Sequence, residues 1–472
     1  MIVKLYKKGD NNYMKAIEYF MELTKIPRPS GKEEKVVEFL VNYAKKHNYK
    51  YEINGSKNVI IIKDNHSTKN IILQAHTDMV CEKNGNIEID FDNDPIQTII
   101  EGDIIRANGT TLGADDGYGV CSILQILDEC GEGYPNIEAI FTSDEEVGMS
   151  GAMSLDLSSL KSKMVIGLDG TSSSEITTSS AGGLRIQFDG EYQSENVNLN
   201  GYKIEVSGLL GGHSGEEINL NRANSNKTIF EFLSKLDNVR IAHFDGGNKD
   251  NAIPRESNCV FYTTDKLVNS KLENFIEEQK AKYPKELNFK MTLTNHHIDS
   301  LIDETVSINL VKFVCEFKNA VLVWDTTDTN FPITSINLAK INTDNNKILI
   351  RSMLRSSNSE YEKQYIEEFF ELGKKYNFTP SVTNRSPYFE KSKDGTLVDT
   401  CIKAYNDLGY KDLVVTGIHA GLEGGVFAEK IKDAQIICLG ADLKEIHTPN
   451  ENMKISSLTK LTNWLKCILK NI

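Results

Sequence analysis

The sequence predicts an α/β protein with a mostly parallel, helix-flanked sheet, into which an α+β domain is inserted. Ile71–Leu73, Glu138–Thr142 and Met164–Leu168 are short apolar segments typical of buried strands, with predicted helices between them. From about Leu184 the pattern changes to alternating polar and apolar residues, and the first pattern returns after about Pro387. Buried apolar strands favour a parallel sheet, whereas alternation favours an antiparallel sheet with one exposed face.

We therefore predict two domains, since 472 residues are too many for one ordinary hydrophobic core. The first, discontinuous domain comprises residues 1–184 and 386–472, and residues 185–385 form the inserted domain. We expect Trp464 in the core of the first domain and Trp324 in the core of the second.

Composition excludes several functions. A net charge of −14 argues against nucleic acid or an anionic membrane as a partner, and no segment has the roughly 18 apolar residues of a membrane span. The residues after Met1–Asn12 do not form the apolar run of a signal peptide. The eight cysteines are scattered without a Cys-x-x-Cys pair, which predicts reduced thiols in a cytoplasmic protein.

Near the start of the chain, Tyr13–Thr24 has apolar residues at helical spacing. Ser30-Gly-Lys-Glu33 has the pattern of a capping box that opens a second helix. Tyr51–Asn54 and Asn58–Lys63 predict a pair of strands, and Val120–Glu129 predicts a helix.

The later elements follow the same two patterns. In the inserted domain we predict strands at Arg185–Asp189, Lys203–Ser207, Asn258–Thr263, Asn288–Thr294, Ala320–Trp324, Ile333–Lys340 and Lys347–Leu354, and helices at Asn224–Leu236, Leu272–Lys282 and Tyr361–Lys375. After it we predict helices at Leu397–Leu408 and Ile455–Ile468, and strands at Asp412–Val415 and Gln435–Leu439.

Histidines and acidic residues recur where the apolar strands end. Since parallel strands end at the same edge of a sheet, these side chains should converge there. Each acid alone has an ordinary explanation as a helix cap or a solvated side chain, but together they would need a run of coincidences. The converging residues are His76 and Asp78, Asp115 at a helix start, Glu145 and Glu146, Asp169, and His447.

Histidine and carboxylate ligands without cysteine are typical of hydrolases with two catalytic metal ions, zinc, cobalt or manganese. Crowded carboxylates repel one another, and divalent cations remove that conflict. One glutamate left uncoordinated would act as general base for a metal-activated water. Spacing alone does not decide whether Glu145 or Glu146 has that role.

These residues resemble those of the aminoacyl-histidine (Xaa-His) dipeptidases, a branch of the zinc exopeptidases related to carboxypeptidase G and tripeptide aminopeptidase. The resemblance spans essentially the whole chain. The motifs that carry it, in the expected order, are Gln74-Ala-His-Thr-Asp-Met-Val, Thr111-Leu-Gly-Ala-Asp-Asp-Gly, Thr142-Ser-Asp-Glu-Glu-Val-Gly-Met-Ser-Gly-Ala, Leu168-Asp-Gly, Gly211-Gly-His-Ser-Gly, Asn251-Ala-Ile-Pro-Arg, His419-Ala-Gly-Leu-Glu and His447-Thr-Pro-Asn-Glu.

The resemblance implies a zinc-exopeptidase fold whose inserted domain is a lid of the kind that also forms dimers, so a homodimer is one expectation. It implies two divalent ions per chain, zinc first, with cobalt or manganese as alternatives. Asp78 would orient a metal-bound histidine, and Glu145 would be the general base. His76 and Asp169 would hold one ion, Glu146 and His447 the other, and Asp115 would bridge the two.

In the lid, the resemblance implies that His213 stabilises the oxyanion, and that Asn251, Arg351 and the loop at Gly421 hold the terminal carboxylate of a small peptide substrate. Arg355 lies on the same strand face as Arg351, so it could share that role. The residues Ala-Gly-Leu-Glu-Gly-Gly after His419 depart from the family pattern, which leaves the roles of His419 and Glu423 open.

The predicted function is hydrolysis of unblocked dipeptides, including Xaa-His dipeptides similar to carnosine. One alternative is a related exopeptidase or amidohydrolase, such as a tripeptide aminopeptidase or an acyl-amino-acid deacylase. Another is a catalytically retired relative that binds metal or peptide. An uncoordinated base beside a complete ligand set argues against the retired enzyme.

Overall fold

The computed structural model describes residues 15–326 and 328–472, so the first two residues of the helix predicted from Tyr13 lie outside the described part. The described residues divide into two compact units. The first comprises residues up to Ser180 together with Pro387–Gly417 and Leu422–Ile472. The second comprises Ala181–Ser386 and Ile418–Gly421.

The first unit begins with two helices and alternates strands and helices from there. In chain order, its first stretch contains α1 (Lys15–Leu23), α2 (Glu34–Lys46), β1 (Lys50–Asn54), β2 (Asn58–Lys63), β3 (Asn70–His76), β4 (Thr98–Glu101), β5 (Ile104–Ala107), α3 (Ala114–Glu129), β6 (Asn136–Thr142), α4 (Ser150–Ser154), β7 (Met164–Gly170) and β8 (Glu175–Ser180).

Longer strands follow in the second unit, which contains β9 (Gly182–Glu191), β10 (Ser194–Ser207), β11 (Gly212–His213), a 3-10 helix (Ile218–Leu220), α5 (Ser225–Leu233), β12 (Arg240–Gly246), β13 (Ala252–Ile253), β14 (Ser257–Tyr262), α6 (Val268–Lys282), β15 (Lys290–Ile302), α7 (Glu304–Glu316), β16 (Ala320–Trp324), β17 (Pro332–Asp344), β18 (Lys347–Ser356), α8 (Ser359–Lys375) and β19 (Thr379–Thr383). The chain then continues with α9 (Thr396–Asp407), β20 (Val414–Ile418), α10 (Gly424–Lys430), β21 (Gln435–Gly440), β22 (Leu443–Lys444), β23 (Asn452–Lys454) and α11 (Ile455–Asn471).

The main sheet of the first unit has eight strands in the order β1-β2-β6-β3-β7-β21-β8-β20. Its four central strands, β6, β3, β7 and β21, are parallel, and β1, β2 and β8 are antiparallel to their neighbours. The predicted α/β class is therefore confirmed, with antiparallel strands added towards the edges. In the parallel register His76 lies opposite Thr142, so β3 and β6 end together. A second sheet has the order β22-β23-β5-β4.

Apolar side chains of β3, β6 and β7 pack with α1, α3 and α11 in one core. Phe20, Tyr118 and Trp464 are fully buried there, which confirms the prediction for Trp464. The indole N–H of Trp464 donates to the carbonyl of Cys401 at 2.9 Å, so its polar atom is satisfied. No helix in the described part of the chain has the length and hydrophobicity needed to cross a membrane.

The second unit contains a nine-stranded antiparallel sheet, with β15-β10-β14-β12-β17-β18-β9-β19 in order and β16 beside β17. Its core is rich in phenylalanine, including Phe188, Phe230 and Phe313. Trp324 is 41% exposed, so the prediction that it lies in this core is wrong. It is the last residue of β16, for which the described part of the chain provides one strand partner, β17.

The capping box predicted at Ser30 and Glu33 does not form. Glu33 occupies the N-cap of α2 without a side-chain cap bond, and its carboxylate accepts hydrogen bonds from the N–H groups of Gly31 and Asp144. The Ser30 hydroxyl donates to Asp78 instead. The capping pattern is local in sequence, whereas both side chains form hydrogen bonds with distant residues, Ser30 with Asp78 and Glu33 with Asp144.

Asp128 joins the first three helices. Its carboxylate accepts hydrogen bonds from Tyr19 at 2.6 Å and Tyr43 at 2.7 Å, and pairs with Lys15 at 2.6 Å. Burial alone would raise the pKa of Asp128, but the hydrogen bonds from Lys15 and the tyrosines lower it below its ordinary value. The carboxylate is therefore stabilised in the folded protein.

We predict that Asp128→Asn lowers the free energy of unfolding by about 1.5–3 kcal/mol at about pH 7, because hydrogen bonds to a charged group are lost. A depressed folded-state pKa gives stability that is present above the unfolded pKa of about 3.9 and is lost as the pH falls through the folded pKa. The difference between variant and parent in urea unfolding should therefore shrink at about pH 3. The exposed Glu88→Gln is the control, and a difference that does not depend on pH would contradict this account.

Candidate metal centre

His76 and Asp78 lie at the carboxyl end of β3, where an open α/β sheet places its chemistry. Both side chains are buried, with His76 1% and Asp78 0% exposed. The His76 Nδ1 atom lies 3.5 Å from Asp78 Oδ1 and 3.2 Å from the Asp78 carbonyl oxygen. These contacts orient the imidazole so that Nε2 faces the other acidic residues.

Asp115 lies between two histidines. Its Oδ1 atom is 3.2 Å from His76 Nε2, and its Oδ2 atom is 3.3 Å from His447 Nε2. One carboxylate thus presents one oxygen to each imidazole, as a carboxylate that bridges two metal ions must. Each histidine also approaches a second carboxylate. His447 Nε2 lies 3.0 Å from Glu146 Oε2, and His76 Nε2 lies 3.7 Å from Asp169 Oδ1.

Asp78 also holds the loop after β6. Its Oδ1 accepts a hydrogen bond from the N–H of Glu145 at 3.0 Å, and its Oδ2 accepts from the N–H of Glu146 at 3.2 Å and from Ser30 Oγ at 2.7 Å. Asp144, just before, has a positive φ of 54°. Asp78 therefore positions His76 and both candidate glutamates at once.

The structure brings together all seven residues predicted for this centre. Groups of their ligand atoms, together with Asp116, lie within 4.8 Å of one another: His76, Asp116 and Asp169; His76, Glu145 and Glu146; and Asp115, Glu146 and His447. Asp116 is satisfied by the backbone, since its carboxylate accepts hydrogen bonds from the N–H groups of His76 and Gly119, both at 3.1 Å.

The acids and histidines of this centre perturb one another. Burial and repulsion by Asp115 raise the pKa of Asp169 to about 7. Burial raises the pKa of Glu145 well above its ordinary value, and the charges of Asp169 and Glu423 add to this. Hydrogen bonds to Asp115 and Glu146 raise the pKa of His447 to about 10. Negative charge around Asp169, Glu145 and His447 thus raises their proton affinity, whereas hydrogen bonds from His447 and His76 lower the pKa of Asp115 against the opposing effect of burial.

This donor set fits divalent metal ions. The ligand atoms are imidazole nitrogens and carboxylate oxygens, which zinc, cobalt and manganese accept, and one carboxylate spans two groups. Cations balance converging carboxylates that otherwise repel one another. His76 also has the orienting carboxylate that usually accompanies a metal-bound imidazole.

Three buried residues around the centre have no role that the sequence alone could assign. Arg28 donates to the carbonyls of Thr77 and Asp78, both at 3.0 Å, and to that of Gly113. Glu423 accepts hydrogen bonds from Gln74 and Thr142, both at 2.6 Å. The third residue, Glu451, contacts the loop before Asp115.

Different signals could have identified them. Arg28 is a charged residue between two prolines, and Glu451 is the last residue of the motif His447-Thr-Pro-Asn-Glu. Partners so distant in the chain leave no periodic pattern.

In the second unit, His213 lies on β11, which pairs with β13 directly after Asn251. Its Nε2 atom is 3.4 Å from Arg355 Nη2. Arg351 lies four residues earlier on the same strand, β18, and its Nε donates to the side-chain oxygen of Gln187 at 3.1 Å. The structure therefore brings Arg355, rather than Arg351, next to His213.

A second histidine lies in the same region of this unit. His419 Nε2 is 2.7 Å from Ser335 Oγ, and its Nδ1 and Arg355 Nε are buried without a hydrogen-bond partner in the described residues. Burial, helped by the Arg355 charge, lowers the pKa of His419 to about 3 and lowers that of His213. The Arg355 guanidinium therefore lies beside imidazoles whose pKa values are below the ordinary value, so their neutral form is favoured. The segment that carries Gly421 belongs to this unit, and the carbonyl of His419 approaches Gly215 closely.

Histidines and carboxylates at the carboxyl edge of a parallel sheet are typical of the class of metal-dependent hydrolases. The chain belongs to the peptidase family M20/M25/M40, whose family model matches residues 72–471. The protein is therefore a peptidase, and the predicted family resemblance is confirmed.

Two similar proteins cover nearly the whole chain. The cytosol non-specific dipeptidase of Escherichia coli (strain K12) is 29% identical over 472 residues, with 96% of this chain and 97% of that protein covered. The crystal structure of aminoacylhistidine dipeptidase from Vibrio alginolyticus has a TM-score of 0.88 and 26% identity, covering 100% of this chain and 99% of that one. Aminopeptidase PepT from Bacillus cereus shares the fold, with a TM-score of 0.57 and 16% identity over 97% of this chain and 98% of that one.

We predict that Asp78→Asn lowers the affinity for zinc by about 10- to 100-fold, because an amide cannot accept all the hydrogen bonds of the carboxylate and the imidazole loses its orienting charge. Competition with a chromophoric chelator measures this affinity. Ser30→Ala, which removes only one of the three donors to Asp78, is the graded control and should have a smaller effect. Unchanged affinity in Asp78→Asn would show that this carboxylate does not support the centre.

Proposed function

We propose that the protein hydrolyses unblocked dipeptides, including those with a C-terminal histidine, with the help of two divalent metal ions. The observation that carries this proposal is Asp115, whose two oxygens face His76 and His447 separately, beside a glutamate that remains outside those contacts. The names of the similar proteins from Escherichia coli and Vibrio alginolyticus support a dipeptidase substrate.

The proposed ligands follow from the contacts described above. When bound, two divalent ions supply Lewis-acid chemistry, lowering the pKa of a water molecule towards neutrality and polarising the scissile carbonyl. We propose zinc as the native metal, with cobalt and manganese as alternatives, and a cytoplasmic location. His76 and Asp169 would hold one ion, Glu146 and His447 the other, and Asp115 would be shared.

Glu145 is the proposed general base. Among the described residues its carboxylate accepts no hydrogen bond, whereas its backbone N–H donates to Asp78 and its carbonyl accepts from the N–H groups of Gly148 and Met149. Its carboxylate oxygen would accept a proton from water and later deliver it to the leaving amine nitrogen. Burial and neighbouring acids favour its protonated form, which suits the second of these steps.

In the second unit we propose that Arg355, rather than Arg351, binds the terminal carboxylate of the substrate. Arg355 is 7% exposed, and its Nε has no hydrogen-bond partner within the described part of the chain. It lies beside two histidines, whereas the Nε of Arg351 donates to Gln187. A guanidinium matches a carboxylate in a bidentate geometry. His213 remains our proposal for oxyanion stabilisation, and Asn251 and Gly421 for contacts with the same end of the substrate.

The test of the reaction class is hydrolysis of β-Ala-His, Gly-His, Leu-Gly, Leu-Gly-Gly and an N-acetylated amino acid, with added zinc, manganese or cobalt and with chelator. Chelator-sensitive cleavage of the unblocked dipeptides alone is the expected result. Cleavage of Leu-Gly-Gly or of the acetylated substrate instead would replace the dipeptidase by a tripeptide aminopeptidase or a deacylase. Metal binding without any turnover would favour a retired, peptide-binding relative.

Neighbouring glutamates offer a sharp test of the proposed base. Glu145→Gln should keep both metals and lower kcat by about 100- to 10,000-fold, the usual contribution of a general base. Glu146→Gln should instead weaken metal binding, because it removes a proposed ligand. Metal content after dialysis and steady-state kinetics with Leu-Gly measure both effects. Full activity in Glu145→Gln would exclude the assignment.

Arg355→Ala should raise KM for dipeptides by about tenfold or more, because charge-assisted hydrogen bonds to the substrate carboxylate are lost. Arg351→Ala is the matched control, since it removes the same group four residues away on the same strand face. Comparison of Leu-Gly with its C-terminal amide identifies the partner, because the Arg355 variant should discriminate less between the two. A larger effect in Arg351→Ala would return the role to that residue.

A further inference from the structure

Glu451 binds the start of α3 from a distant part of the chain. It is 2% exposed, and its carboxylate accepts four backbone hydrogen bonds. Oε2 accepts from the N–H groups of Leu112 at 2.6 Å and Gly113 at 2.9 Å. Oε1 accepts from those of Ala114 at 2.8 Å and Asp115 at 3.2 Å.

This contact satisfies backbone groups that lie before the regular part of α3. Asp115 (φ −79°, ψ 114°) and Asp116 (φ −102°, ψ 37°) do not have helical backbone angles, so the N–H groups of Leu112–Asp115 belong to an irregular segment. A buried N–H group without a partner is costly, and Glu451 supplies the acceptor for these four groups. Gly113, with a φ of +68°, has no side chain, and a β-carbon there would lie only 2.6 Å from Arg28 Nη2.

The same contact joins the two segments that meet in the metal centre. The last N–H in this set belongs to Asp115, whose Oδ2 lies 3.3 Å from His447 Nε2. His447 precedes Glu451 by four residues, and the N–H of Glu451 donates to Thr448 at 3.0 Å. Two independent contacts therefore link the Asp115 loop to the His447 loop, one through side chains and one through Glu451.

We propose that Glu451 is a positioning residue that sets the spacing between Asp115 and His447, and thereby the affinity for the ion shared by Asp115, Glu146 and His447. This inference rests on the proposed two-metal site. The ion at His76 and Asp169 depends less on Glu451, because β3 and β7 deliver those two ligands directly. Loss of the Glu451 carboxylate should therefore lower the affinity for the ion at Asp115, Glu146 and His447 more than the affinity for the other ion.

Glu138 provides a matched control. It is 3% exposed, and its carboxylate also accepts backbone hydrogen bonds, from Lys161 at 2.9 Å and Ser162 at 3.1 Å. It lies near the amino end of β6, whereas the centre lies beyond the carboxyl end. Glu138→Gln thus removes the same chemistry from a place that does not link ligand segments.

The experiment is calorimetric titration of zinc into the full-length, chelator-treated protein. The parent protein and Glu138→Gln should each bind two ions. Glu451→Gln should bind one ion with parental affinity and the other about 10- to 100-fold more weakly, the usual effect of losing a residue that orients metal ligands. In a His447→Ala background, adding Glu451→Gln should not change the affinity of the remaining ion, since the contact it supports is already absent.

The outcomes separate this inference from the proposed function. A parent protein that binds fewer than two ions would overturn the two-metal proposal itself. Two ions in the parent, with both unchanged or both equally weakened in Glu451→Gln, would overturn only the role of Glu451. Should Glu451→Gln fail to fold, Glu451→Asp, which keeps the charge but shortens the side chain by one methylene, should show the same selective loss to a smaller degree.

Discussion

The candidate centre depends on one buried carboxylate, that of Asp78. It receives hydrogen bonds from the backbone of Glu145 and Glu146 and from the Ser30 hydroxyl, and it lies against the imidazole of His76. A carboxylate without exposed surface is costly unless such partners surround it. Its partners lower the pKa of Asp78 to about 2 against the opposing effect of burial, so the orienting group is ionised throughout the neutral range. Three chain segments are thereby fixed relative to one another before any metal binds.

Further charged residues extend this frame within the first unit. Arg28 donates hydrogen bonds to the carbonyls of Thr77 and Gly113. Glu451 accepts a hydrogen bond from the N–H group of the same Gly113. Backbone carbonyls and N–H groups are thus bound by opposite charges from separate parts of the chain. Preorganisation of this kind lets ligand atoms converge although their charges repel one another.

The sequence predicted what is locally encoded. Apolar runs that end in His76, Glu145 and Asp169 became parallel strands, so the α/β class and the convergence of these residues followed from strand polarity. Long-range contacts could not be predicted in the same way. Ser30 and Glu33 matched a capping pattern but serve distant segments, and nothing local distinguished Arg355 from Arg351, which share a strand face. The hydrogen bonds that Glu451 accepts come from N–H groups that lie 336 to 339 residues earlier in the chain.

The large separation of these contacts along the chain has a consequence for biosynthesis. His447 meets Glu146 across 301 residues, and the second unit is encoded between them. Contacts so distant in sequence form slowly, because the chain must pay the entropy of closing a long loop. A ribosome-bound chain that still lacks β21 and the His447 loop already holds His76, Asp115 and Glu146, but its centre is incomplete. The candidate centre can therefore be completed only after the segment that carries His447 has been synthesised.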